Sequence, residues 1–152
     1  MSADDQVVER VRASFERQGL MRLIGARLTE VGEGRVRITL PSSPQVSQQH
    51  GYVHAGATSA IADSAGGYAA LTLMADDAEV LTVEYKLNLL APASGVRLEA
   101  VGTVVKSGRT LSVCTLEVHA IDGDEQPTLV AVGQQTLIAV RADSSRSTAP
   151  EA

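Results

Sequence analysis

The chain has 152 residues, enough for one domain around a single hydrophobic core. Hydrophobic residues make up 44% and charged residues 20%, which excludes a disordered chain, and a net charge of -5 argues against a nucleic-acid partner. No apolar run reaches the roughly 18 residues of a membrane span, and the start MSADDQVVER lacks the layout of a signal peptide, so a cytoplasmic protein with no membrane partner is expected.

Val7, Val8, Val11 and Phe15 recur at helical spacing and predict an amphipathic helix over 5–18 that stops near Gly19. Two extended runs follow, 23–31 and 35–40, joined by the turn Gly32-Glu33-Gly34. A loop with Pro41 and Pro44 leads to the stretch QQHGYVHAGATSAIADSAGG at 48–67. A long helix is expected over 57–73, starting after Gly56. It is apolar on nearly every side and should therefore be buried all round. Gly66 and Gly67 each cost this helix about 1 kcal/mol relative to alanine, so another backbone should approach closely there.

The rest of the chain is β-like. Alternation over 80–89 places Leu81, Val83, Tyr85, Leu87 and Leu89 on one face and Thr82, Glu84, Lys86 and Asn88 on the other. Further strands are expected over 96–106, 110–120 and 128–140. A slip in apolar parity between Val113 and Leu116 suggests a bulge in the second of these. Cys114, the single cysteine, reads as a small buried strand residue. The tail 141–152 is rich in Ser, Ala and Pro and is expected to be disordered. These elements describe one α+β domain over 1–140: a hairpin, a central helix and a four-stranded meander, six antiparallel strands in all.

Asp63 stands out in the apolar helix, because burying a carboxylate without partners costs several kcal/mol, roughly. His54 lies nine residues before it. On one helix the two would sit about 13 Å apart and on opposite sides, unable to grip one small group. If the helix starts only after Gly56, His54 lies in the entering loop and the N–H groups of Ala55, Gly56 and Ala57 point out of the helix N-terminus, where they could hold a developing oxyanion. Asp63 would then serve another copy of that site across a dimer interface. The plainer reading makes Asp63 the N-cap of a second helical segment.

Val53-His54-Ala55-Gly56 with the downstream acid Asp63 resembles the His-Gly-Gly and acid signature of hotdog-fold acyl-CoA thioesterases, nearest to the PaaI-like, phenylacetate-pathway branch. The resemblance covers about residues 20–140, including Ala91-Pro92-Ala93. It implies a six-stranded antiparallel sheet wrapped around a central helix, and a homodimer that pairs further into a homotetramer. It also implies roles for single residues. Asp63 matches the catalytic acid, as nucleophile or general base. Ala55 takes the place of the glycine whose N–H polarises the thioester carbonyl, with Gly56 beside it, and His54 orients the loop. Gln48 stands where relatives often carry an Asn that positions thioester or water. Thr82 falls where a hydroxyl holds the attacking water, and Tyr68 would line the acyl tunnel. A thioester is already activated, so its hydrolysis asks for no metal and no cofactor; coenzyme A is part of the substrate.

Lys106 and Arg109, with Lys86, are candidates for the coenzyme A phosphates, although each taken alone reads more simply as a solvated charge beside a turn. His50 and His54 lack a third ligand at metal-binding spacing. Ser59 and Ser64 lack a nucleophile elbow and read as small packing residues. Two other functions fit the same scaffold: a non-catalytic acyl-CoA-binding or sensing protein, and an enoyl-CoA hydratase, whose paired Asp and His are absent here.

Overall fold

A computed structural model describes residues 3–141. Helix α1 (Ala3–Glu16) buries Val11 and Phe15 and half-buries Val7 and Val8, as its periodicity predicts. Its Arg10 guanidinium donates to the carbonyls of Leu71 (2.7 Å) and Ala75 (3.0 Å). These carbonyls lie at and just past the C-terminal end of the long helix, so a cation meets acceptors at a negative helix end.

Residues 23 and 24, expected to be extended, belong instead to a second helix, α2 (Gly19–Ile24). Gly25, at φ 77, ends it in the left-handed conformation, and its N–H turns back to the carbonyls of Arg22 and Met21. Strand β1 (Arg27–Gly32) therefore starts later than the sequence suggests.

Helix α3 (Ala55–Leu71) begins two residues before its expected start and ends two earlier than expected. It lies against a six-stranded antiparallel sheet whose other strands are β2 (Arg35–Pro41), β3 (Ala78–Leu89), β4 (Arg97–Ser107), β5 (Leu111–Ile121) and β6 (Thr128–Arg141). Their order is β1-β2-β4-β5-β6-β3. The expected four-stranded meander is thus corrected: β4, β5 and β6 form one, while β3 pairs with β6 and closes the far edge.

The helix-facing side carries Val36, Ile38, Leu40, Leu98, Ala100, Leu116, Val118 and Leu137, all buried. Small residues let α3 sink into this surface. A Cβ on Gly102 of β4 would collide with the backbone at Ala65 and Gly66, which is the close approach that the glycine pair signals.

Strand β3 departs from simple alternation. Its pairing shifts between Thr82 and Glu84, leaving Val83 as the extra residue of a β-bulge. Thr82 stands opposite Leu137 and Tyr85 opposite Gln135, both on the helix side, while Leu81 stands opposite Ile138 on the outer side. The bulge suspected in 113–116 lies instead on the neighbouring strand, between Val104 and Lys106. Strand β5 alternates regularly from Ser112 to Ala120. Its parity looked broken because two buried positions there are Ser112 and Cys114. Arg141, expected in the tail, is the last residue of β6, and 142–152 lie outside the described residues.

Candidate active site

His54 sets where α3 starts. Its Nδ1 accepts a 2.7 Å hydrogen bond from the Gly56 N–H, giving the helix an N-cap two residues earlier than the glycines suggest. A ring accepting at Nδ1 carries its proton on Nε2, and the exposed imidazole keeps that donor available. The His54 carbonyl accepts from Ala57 (3.0 Å) and Thr58 (3.1 Å), and the His54 N–H donates to Val46. The expected trio of outward amides is therefore reduced. Of the three, Gly56 and Ala57 are engaged, and the Ala55 N–H is the one without a partner among the described residues. Among the described residues no non-glycine residue has positive φ, so alanine sits at position 55 without strain.

The preceding loop is tied down at several points. Val53 N–H donates to the Ala93 carbonyl (2.9 Å), Gln48 N–H to Tyr52 (2.8 Å) and Gly51 N–H to Gln48 (3.0 Å). The Gln48 side-chain oxygen accepts from the His50 N–H, leaving the amide NH2 free. Gln48, His54 and Ala55, with Leu89, Leu90 and Pro92, wall a cavity of about 530 Å3.

Asp63 is in a different cavity. Helix α3 runs unbroken through it, so it caps no second segment. Its carboxylate is half-buried, and Oδ1 accepts from the Thr82 hydroxyl at 2.7 Å and from the Gln135 Nε2 at 2.6 Å. Gln135 Nε2 also reaches the Asp63 carbonyl (3.1 Å) and the Thr82 oxygen (3.0 Å). Oδ2 has no partner among the described residues. The adjoining cavity, about 230 Å3, is lined by Ser14, Gln18, Ser64, Tyr68, Glu79 and Thr82 together with Asp63.

Tyr68 walls this cavity with its hydroxyl engaged, accepting from Gln18 (2.8 Å) and donating to Ser14 (3.2 Å). Its ring meets Phe15 edge-on at 6.0 Å, so it binds α1 to α3. Lys106 and Arg109 are exposed at the β4–β5 turn, the end of the sheet where Leu111 pairs with Ile138. The His54 loop sits at the other end, beside Ala93 and Val130. One chain thus brings Asp63 and Thr82 together and gathers Gln48, His54 and Ala55 elsewhere, while Lys106 and Arg109 line neither cavity. No group of three or more His, Cys, Asp or Glu among the described residues is placed to hold a metal ion, and no described helix is long and apolar enough to cross a membrane.

Gln135 was not legible as a site residue. The available signal was the pair Gln134-Gln135 in mid-strand, since alternation turns one of two adjacent glutamines toward the core. Cys114 is fully buried in β5, where burial raises its thiol to about 11 from 9.0.

The thioesterase superfamily profile matches residues 50–126. A solved thioesterase family protein from Silicibacter pomeroyi is 43% identical and superposes with a TM-score of 0.86, over 90% of this chain and 99% of its own. The 1,4-dihydroxy-2-naphthoyl-CoA hydrolase of Listeria monocytogenes is 24% identical over 78% of this chain and 94% of its own. The E. coli PaaI protein of the phenylacetic acid degradation operon has a TM-score of 0.79 at 18% identity, covering 91% of this chain and 96% of its own; that likeness is one of fold.

Proposed function

The chain belongs to the thioesterase superfamily and is a thioester hydrolase, and from that premise we propose that it splits an acyl- or aryl-acyl-CoA into free acid and coenzyme A. The observation that carries this reading is the half-tethered carboxylate of Asp63. Oδ1 is held by two donors, while Oδ2 is left to react.

In the general-base route Oδ2 takes a proton from water as the water oxygen attacks the thioester carbon. The carbonyl oxygen becomes an oxyanion, stabilised by the free Ala55 N–H and by the His54 Nε2–H. Collapse breaks the C–S bond, and the thiolate leaves and recovers the proton. In the nucleophilic route Oδ2 attacks the carbon itself and the C–S bond breaks as the coenzyme A thiolate leaves; water then opens the resulting anhydride, which frees the acid, restores the Asp63 carboxylate and gives its proton to the thiolate.

Both routes need an acid and an amide donor at one carbonyl. Along α3, Ala55 and Asp63 are about 12 Å apart, too far to share one small group. A dimer removes the difficulty. Strand β3 is a 12-residue edge that exposes Leu81, Val83, Tyr85 and Leu89, a surface that a monomer would ordinarily blunt. Pairing two such edges about a twofold axis brings the 48–55 loop of one protomer toward the acid of its partner. Lys106 and Arg109 would face the coenzyme A phosphates from the sheet end that this pairing also brings near.

The test is coenzyme A release from a panel of short, long and aromatic acyl-CoAs. Asp63→Ala is expected to fold as the parent does and to lose about a thousandfold or more in turnover. Hydrolysis at the parental rate would overturn the mechanism. Light scattering should report a dimer or a tetramer, and a monomer would overturn the shared site.

A further inference from the structure

Gln135 is 1% exposed, yet it is a polar residue on the helix-facing side of β6, where its neighbours in parity are apolar. A glutamine buried there is justified only if its amide is used. Its Nε2 is fully used, bridging Asp63 Oδ1, the Asp63 carbonyl and the Thr82 hydroxyl oxygen. Its Oε1 has no partner. The acceptors around Nε2 fix the orientation of the amide, because a flipped side chain would turn an oxygen toward the carboxylate and the carbonyl of Asp63.

The helix makes room for this arrangement. A Cβ on Gly66 would overlap Gln135 Oε1 and approach Leu116 to 2.6 Å. Glycine in mid-helix is unfavourable by about 1 kcal/mol relative to alanine, so position 66 gives up helix propensity where the glutamine must fit. Two independent features, a buried donor and a missing side chain, thus converge on one carboxylate oxygen.

We propose that Gln135 is a positioning residue for thioester cleavage, locking Asp63 Oδ1 and the Thr82 hydroxyl so that Oδ2 alone faces the thioester. The inference rests on the hydrolase reading above and on Asp63 as its acid. Gln135 is buried and lines neither cavity. Its effect passes through Asp63, and this separates it from a residue that merely fills the core.

The experiment is a double-mutant cycle with Gln135→Met, which keeps the length of the side chain and removes the donor. Hydrogen bonds to charged groups support an expected fall of roughly tenfold to hundredfold in kcat, with KM within about twofold of the parent. In the Asp63→Ala background the same substitution should leave the residual rate unchanged, because the group it positions is gone. Gln135→Leu serves as the second variant if the methionine protein does not fold. A parental kcat in whichever variant folds would overturn the assignment while leaving the hydrolase reading intact. An equal loss in both backgrounds would show a packing role and overturn it as well. Absence of turnover by the parental protein on every acyl-CoA would instead defeat the proposed function, and this inference with it.

Discussion

Thr82 and Asp63 meet through a 2.7 Å hydrogen bond on the helix side of the sheet, the same side that Leu87 faces five residues further along β3. An odd separation on one face is possible only because Val83 is bulged out. The bulge lets one strand present its Thr82 hydroxyl to the acid and its Leu87 to the apolar core. Thr82→Val keeps the β-branched shape and deletes the donor. It is expected to lower kcat by roughly tenfold to hundredfold with an unchanged thermal midpoint. Steady-state kinetics decide it, and a parental kcat would remove Thr82 from the mechanism.

Ala55 offers an unusually clean test of the oxyanion site. It occupies the first position of α3, where proline is well tolerated, and His54 already has the extended conformation (φ -63, ψ 139) that a residue before proline requires. Ala55→Pro therefore removes the free N–H with little other change. Removal of one such donor should reduce kcat by about a hundredfold to a thousandfold, while circular dichroism and the unfolding midpoint stay as in the parent. Full activity in the proline variant would mean that the carbonyl is polarised elsewhere.

The packing of α3 against β4 predicts opposite signs for two glycine-to-alanine changes. Gly102→Ala drives a methyl into the helix backbone and should cost about 2 kcal/mol or more in urea unfolding. Gly67→Ala meets only Leu137 at 3.8 Å, an ordinary contact, and should stabilise by roughly 0.5–1 kcal/mol through helix propensity. Equal effects of the two would contradict the close approach.

Cys114 gives a pH signature. Its thiol is held protonated to about 11 in the folded protein, against 9.0 when unburied. Below pH 9 both folded and unfolded thiols are protonated and this contribution to stability is complete. Between 9 and 11 only the unfolded thiol ionises, so stability is lost as pH rises. The urea midpoint of the parent should fall more steeply over that window than that of Cys114→Ala. Ellman's reagent should react slowly with the native chain and with one thiol after unfolding. Fast native labelling would place the sulfur outside the core.

Much of this was legible in the sequence, for identifiable reasons. The apolar surround of Asp63 marks α3 as buried, and Val11 and Phe15 mark the inner face of α1. Local patterns carry that information. What they missed depends on distant partners. The N-cap at His54 depends on a ring folding back onto Gly56, and α2 depends on the left-handed Gly25. The place of β3 beside β6 is a matter of topology. The bulge at Val83 is invisible because both of its flanking segments alternate correctly on their own. Gln135 lies 72 residues from Asp63 and has no motif of its own.

The central claim is that one protomer supplies the acid and its partner supplies the amide. It is tested most directly by pairing two inactive chains, Asp63→Ala and Ala55→Pro, carrying different affinity tags, and isolating the mixed dimer. A site shared between protomers leaves one intact acid–amide pair in that dimer, so acyl-CoA hydrolysis should return to about half the parental rate per dimer. A mixed dimer as inactive as either parent variant would show that acid and amide must come from the same chain, and would contradict the account.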